Sequence, residues 1–163
     1  MQSEETDFHR HLYSLLDQEL NHMGELKQIL DSETAVLTYE RNTDELLQLI
    51  AEKDAKVAAL KELETERNQL FNSIGVNTHP QDITQFLRIE VEARPLLPLW
   101  QQLLELATQC QESNRLNGTI IKLDSQHLQQ ALNLLREENT SNCNYDPQGC
   151  TAPSNTSRLL GQA

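Results

Sequence analysis

The chain is poor both in residues that break helices and in residues that build sheets. Of its 163 residues only 5 are Gly and 5 are Pro, and aromatics make up 4%. So few turn formers argue against a sandwich of short strands joined by tight turns. The β-branched and aromatic residues that strands favour are sparse, whereas Leu, Gln and Glu abound. Positive charge is scarce as well: 13 Lys and Arg stand against 25 Asp and Glu, a net of −12. A generic nucleic-acid binder needs a basic face to release counterions, so that class is excluded. Anionic membrane surfaces are disfavoured for the same reason. No apolar run approaches the roughly 18 residues that would cross a bilayer, so no membrane insertion is expected. The start, Met1-Gln2-Ser3-Glu4-Glu5, has neither a basic region nor an apolar core, so no secretory signal is expected. The three cysteines, Cys110, Cys143 and Cys150, are scattered and odd in number, which fits free thiols in the cytoplasm.

What is present is helical periodicity. From about Glu5 to Glu40 the apolar residues step through Phe8, Leu12, Leu16, Leu20, Met23, Leu26, Leu30 and Leu37, at intervals that mark one helix face. Asn42-Thr43-Asp44 interrupts, with Thr43 or Asp44 expected as the N-cap of a second helix. That helix carries Leu46, Leu47, Ile50, Val57, Leu60, Leu63, Leu70, Phe71 and Ile74, and Gly75 stops it. Thr78 or His79, before Pro80, opens a third helix expected to reach Arg94, with Ile83, Phe86, Leu87 and Val91 on its apolar side. Pro95 and Pro98 break the pattern, Pro98 being tolerable in the first turn of a fourth helix from about Leu96 to Glu138. The expectation is an all-α fold: an antiparallel, coiled-coil-like bundle of about four helices over 1–138. Residues 139–163 read as a flexible C-terminal tail, for want of apolar surface to offset ordering entropy. Acidity concentrates early: residues 1–78 hold 16 acids and 7 bases, residues 79–163 only 9 and 6. The early acids read as a solvated outer face.

Residues that could carry catalysis are not arranged for it. The glycines at 24, 75, 118, 149 and 161 are isolated, so no phosphate-cradling loop forms, and no nucleophile elbow is present. His9 and His11 diverge by about 200° on a helix and cannot share a metal. Cys143 and Cys150 match no zinc spacing. Cys110 falls at a core position, and His127 reads as a satisfied histidine at the edge of the core. No enzyme activity, metal or cofactor is expected.

The informative element is the end of the fourth helix. On a helical projection Leu116, Ile120, Leu123, Ala131 and Leu134 share one sector, and Ile121, Leu128, Leu132 and Leu135 the adjoining one. The apolar stripe is about 180° wide, against about 100° for one face of a small bundle. The excess must be buried by the chain's own helices, by self-association, or by a partner helix. Asn117 and Asp124 interrupt the stripe. Either fixes helix register or presents hydrogen bonds to a docked segment. Beyond it, Tyr145-Asp146-Pro147-Gln148-Gly149 has the residues of a type I turn, with Tyr145 a plausible anchor.

Several of these stretches together resemble the FlgN family of flagellar export chaperones. They are Thr43-Asp44-Glu45-Leu46, Glu52-Lys53-Asp54 with Leu60-x-x-Leu63, and Leu99-Trp100-x-x-Leu103-Leu104. With them go Asn114-x-x-Asn117-Gly118-x-Ile120-Ile121, Ala131-Leu132-x-Leu134-Leu135, and the Tyr145-x-x-x-Gly149 tail. The resemblance implies a cytoplasmic chaperone of the flagellar type III export system. It implies binding of the hook-associated proteins FlgK and FlgL, followed by docking on the export gate and contact with soluble export-apparatus components. It places client binding on Leu116, Asn117, Ile120, Ile121, Leu123, Asp124, Leu128, Leu132 and Leu135, and gate docking on Tyr145. Two other readings stay open: a chaperone of an injection-type secretion system, and a passive coiled-coil scaffold.

Overall fold

The computed structural model describes residues 2–142, with side chains from Asp7 to Arg136. Four α-helices follow one another: α1 Gln2–Ala35, α2 Thr43–Ser73, α3 Pro80–Ile89 and α4 Leu97–Asn142. The chain divides into two compact units, Met1–Ile121 and Lys122–Ala163. The expected all-α class is what the described residues adopt. The expected tail from residue 143 onward, with Cys143, Tyr145 and Cys150, lies outside the described residues. Helix α4 continues through Asn142, four residues into the stretch expected as tail.

In the first unit α1 does not stop at Ala35. A π-helical turn, Val36–Glu40, widens its end, and the Arg41 amide donates to the Val36 carbonyl at 2.7 Å. Arg41 then takes the left-handed conformation, with φ 49°, and the chain reverses into α2. The N-cap of α2 is Asn42, not Thr43 or Asp44: its carboxamide oxygen accepts from the amides of Asp44 and Glu45 at 3.2 and 3.4 Å. Asn is as good a cap as Asp, and here its extended backbone (φ −85°, ψ 110°) puts its oxygen over the free amides. Gly75 ends α2 as expected. With φ +77° it closes a 6→1 bond from the Val76 amide to the Phe71 carbonyl and a bond from its own amide to Asn72.

His79 caps α3, its Nδ1 accepting from the Gln81 amide at 3.3 Å. The third helix stops at Ile89 rather than Arg94. Glu90 turns extended, and Arg94–Leu96 forms a 3₁₀ turn that drops Ala93 and Leu96 into the core. Pro95 occupies the start of that turn, where no amide donor is required. Val91 is left outside, 70% exposed. Pro98 stands in the first turn of α4, so the two prolines mark a break and not a bend.

The core has a main and a minor cluster. Leu12, Leu16, Phe71, Ile83, Leu87, Ala93, Leu96, Trp100 and Leu103 bring all four helices and the 3₁₀ turn together. Phe8, Phe71 and Phe86 meet edge to face, at centroid distances of 5.9 to 6.2 Å. Leu26, Leu30 and Cys110 form the smaller cluster between α1 and α4, and burial pushes the Cys110 thiol pKa up. Trp100 is held at both ends: its indole N–H donates to Thr84 Oγ1 at 2.9 Å, and the Arg67 guanidinium lies 5.1 Å from its ring centroid.

The early acids are not all on a solvated face. Glu19 and Glu33 are buried, each at a core position of the α1 repeat. Glu19 takes two hydrogen bonds from Arg67 of α2, at 2.5 and 2.7 Å. Burial pushes its carboxyl pKa up, by more than the Arg67 guanidinium draws it down. Glu33 takes Lys53 Nζ at 2.8 Å and the Asn117 carboxamide at 3.0 Å, linking α1 to α2 and α4.

A candidate interaction surface on the last helix

Helix α4 changes character along its length, and Asn117 marks the change. Up to that residue one side of α4 is buried through Trp100, Leu103, Cys110 and Asn117; no residue after it is buried among those described. Asn117 itself is 1% exposed. Its Nδ2 donates to the Leu30 carbonyl and to Glu33, both at 3.0 Å, and its Oδ1 accepts from Thr34 Oγ1 at 2.6 Å. Both its N–H donors and its oxygen are engaged on α1 and the side chain is buried, so it acts in register between α1 and α4.

The other residues expected at the surface separate by unit. In the first unit Leu116 and Ile121 are exposed and Ile120 is half-buried. In the second unit Leu123, Leu128, Leu132 and Leu135 are all exposed, between 43 and 64%, and Asp124 is half-buried. Leu134, absent from the expected set although it lies on the stripe, is 62% exposed and belongs with them. His127 is exposed too and not a core-edge residue, because no described side chain packs over that turn. Within 122–136 the leucines stand at 123, 128, 132, 134 and 135, so they crowd toward the end of the described helix, and all of them are exposed. Covering a half-exposed leucine contributes about 1 kcal/mol, so the five together offer roughly 5 kcal/mol of gross burial energy to a partner.

The described part of the second unit offers aliphatic area, with Asp124 and Lys122 at its start. Among the described residues no three His, Cys, Asp or Glu side chains converge as metal ligands would. No described helix is long and apolar enough to cross a membrane.

Sequence reasoning missed the buried charges Glu19, Glu33 and Arg67, and the half-buried Lys53 that pairs with Glu33. The signal was present. Glu19 stands three residues after Leu16, Glu33 three after Leu30, and Arg67 four before Phe71, each in register with a core residue.

Comparison with known proteins places this arrangement. No curated protein matches the chain. A crystal structure assigned as a flagella synthesis protein FlgN of Pseudomonas aeruginosa is similar, with a TM-score of 0.62 and 26% identity. The match covers 71% of this chain and 90% of that one. The family model for FlgN protein matches residues 9–153, from the first turns of α1 past the end of α4. The chain is a member of the FlgN family, a flagellar-associated protein.

Proposed function

We propose that this chain is a cytoplasmic export chaperone of the flagellar type III secretion system, holding hook-associated proteins such as FlgK and FlgL before they are exported. The observation that carries this reading is the row of exposed leucines, Leu123, Leu128, Leu132, Leu134 and Leu135. Soluble chains seldom leave so much aliphatic surface uncovered unless something docks there. Clients of this class carry terminal segments that become coiled coils only after assembly, and until then their apolar faces invite aggregation. An amphipathic client helix laid on the leucines satisfies both partners.

Binding, not catalysis, is the activity. Release at the export gate follows from competing affinities, with no hydrolysis by the chaperone. Leu123, Leu128, Leu132 and Leu135 form the main client contact, with Leu134 added. In the first unit Leu116, Ile120 and Ile121 make client contacts of their own, and in the second Asp124 supplies a polar contact. Tyr145 docks on the gate.

Leu128→Asp with Leu135→Asp weakens client affinity at least about a hundredfold, because two desolvated anchors become charges. Helical content by circular dichroism stays at the wild-type level. Wild-type affinity in the double variant, or a client-free dimer that buries these leucines, overturns the reading. Tyr145→Ala leaves client affinity unchanged and weakens binding to the gate in the same titration format.

A further inference from the structure

The first unit carries a surface of its own suited to a partner, on α3. Gln81, Gln85 and Arg88 follow one another at intervals of four and three, so they stack along one edge of α3. They line a groove with Leu104 of α4, which is half-buried, and with Ile89, which is 66% exposed. A second groove, which Ile89 and Gln85 also line, has Val76, Asn77, Phe86 and the acids Asp82 and Glu90, so an acidic partner is directed to the first groove and not to this one. Ile89 is therefore an apolar knob between two hollows.

The polar edge is unspent. The side chains of Gln81, Gln85 and Arg88 make no hydrogen bond or ion pair with any described residue. Thr84, which also lines the first groove, is already satisfied: it donates to the Pro80 carbonyl and accepts from Trp100. Arg88 is the one charged residue in that lining, a guanidinium in a chain of net charge −12.

We propose that this α3–α4 groove docks an acidic amphipathic helix of a partner protein, with a partner carboxylate on Arg88 and partner aliphatic side chains over Leu104 and Ile89. Charge complementarity selects that occupant. A guanidinium binds a carboxylate through two parallel hydrogen bonds, and the chain's overall negative charge leaves few other places where an acidic segment is tolerated. Gln81 and Gln85 supply amide donors and acceptors along the same line. From Gln81 to Arg88 the edge runs about 10 Å, two turns of helix. This goes beyond the client reading: it gives the chaperone a second handle, built from other residues than the client surface.

The test titrates the 15N-labelled full chain with a synthetic amphipathic peptide bearing Leu and Glu on one face and Ala elsewhere. A peptide with Lys in place of Glu serves as the counterpart. Amide shifts are expected at Gln81–Ile89 and Leu104. Arg88→Glu weakens the Glu peptide at least about tenfold and strengthens the Lys peptide, since an exposed charge is reversed without touching the core. The variant carrying Leu128→Asp and Leu135→Asp binds the Glu peptide like wild type, which separates this groove from the client surface. No shift at α3, shifts confined to residues 123–135, or equal affinity in Arg88→Glu overturns the proposal.

Discussion

Buried charge is the chemistry that most distinguishes this bundle at the scale of single residues. Glu19 and Arg67 face each other with two hydrogen bonds, and both are under 9% exposed. Removing one partner leaves the other charge buried alone, so Arg67→Met costs about 3 kcal/mol. Glu19→Leu combined with Arg67→Met recovers most of that loss, because a well-packed apolar pair replaces a desolvated ionic one. Urea denaturation of the two singles and the double measures the coupling. Glu25 follows the opposite rule to Glu19. Hydrogen bonds from Lys56 and His22 hold its carboxyl below the usual range, so its contribution is present above about pH 4.5 and fades as the pH falls through the lowered value. Glu19, raised by burial, is stabilising in its protonated form and loses that contribution as the pH climbs from about 4.5 through its raised value. Lys56→Met therefore moves the Glu25 titration upward in carboxyl-carbon NMR while that of Glu19 stays in place. These pairs were legible only as exceptions. Composition said that acids face solvent, and the register of Leu16, Leu30 and Phe71 said that three charged positions do not.

At the scale of elements the hydrophobic periodicity located all four helices, and departures occurred at their ends, where local chemistry decides. The cap of α2 is Asn42 because its extended backbone brings the carboxamide over two free amides. Asn42→Ala should lower stability by about 1 kcal/mol, read from the thermal midpoint. The early stop of α3 was hidden for a different reason. Val91 continues the helical period, yet burying Ala93 and Leu96 requires the chain to bend at Glu90, and tertiary packing overrides the pattern. In α4 the excess apolar width was visible in the sequence, and the structure leaves it uncovered. What the projection left open was the role of Asn117, decided by Thr34, Leu30 and Glu33 on a helix more than eighty residues earlier. No local pattern reports a partner so distant in the chain.

For the molecule as a whole, the decisive fact is where burial ends. Every buried residue among those described lies between Leu12 and Asn117. A chain ending at Ile121 therefore keeps the thermal midpoint of the full chain within a few degrees, since no buried side chain among those described is lost. It also loses client affinity, because Leu123, Leu128, Leu132 and Leu135 are gone. A truncated chain that melted far earlier would show that residues beyond 121 stabilise the core. The exposed leucines were legible as a sequence stripe. The α3 groove was not, since it depends on Leu104 of α4 meeting an edge of α3.

One detail of the core has a practical corollary. Trp100 is the chain's single tryptophan, 2% exposed and clasped between Arg67 and Thr84. Its ultraviolet emission is thus a built-in gauge of the 1–121 interior. The segment from 122 to 163 contributes no indole of its own. A client that merely settles on the leucines leaves this signal where it was, so a change in its wavelength on loading reveals cargo reaching into the folded interior.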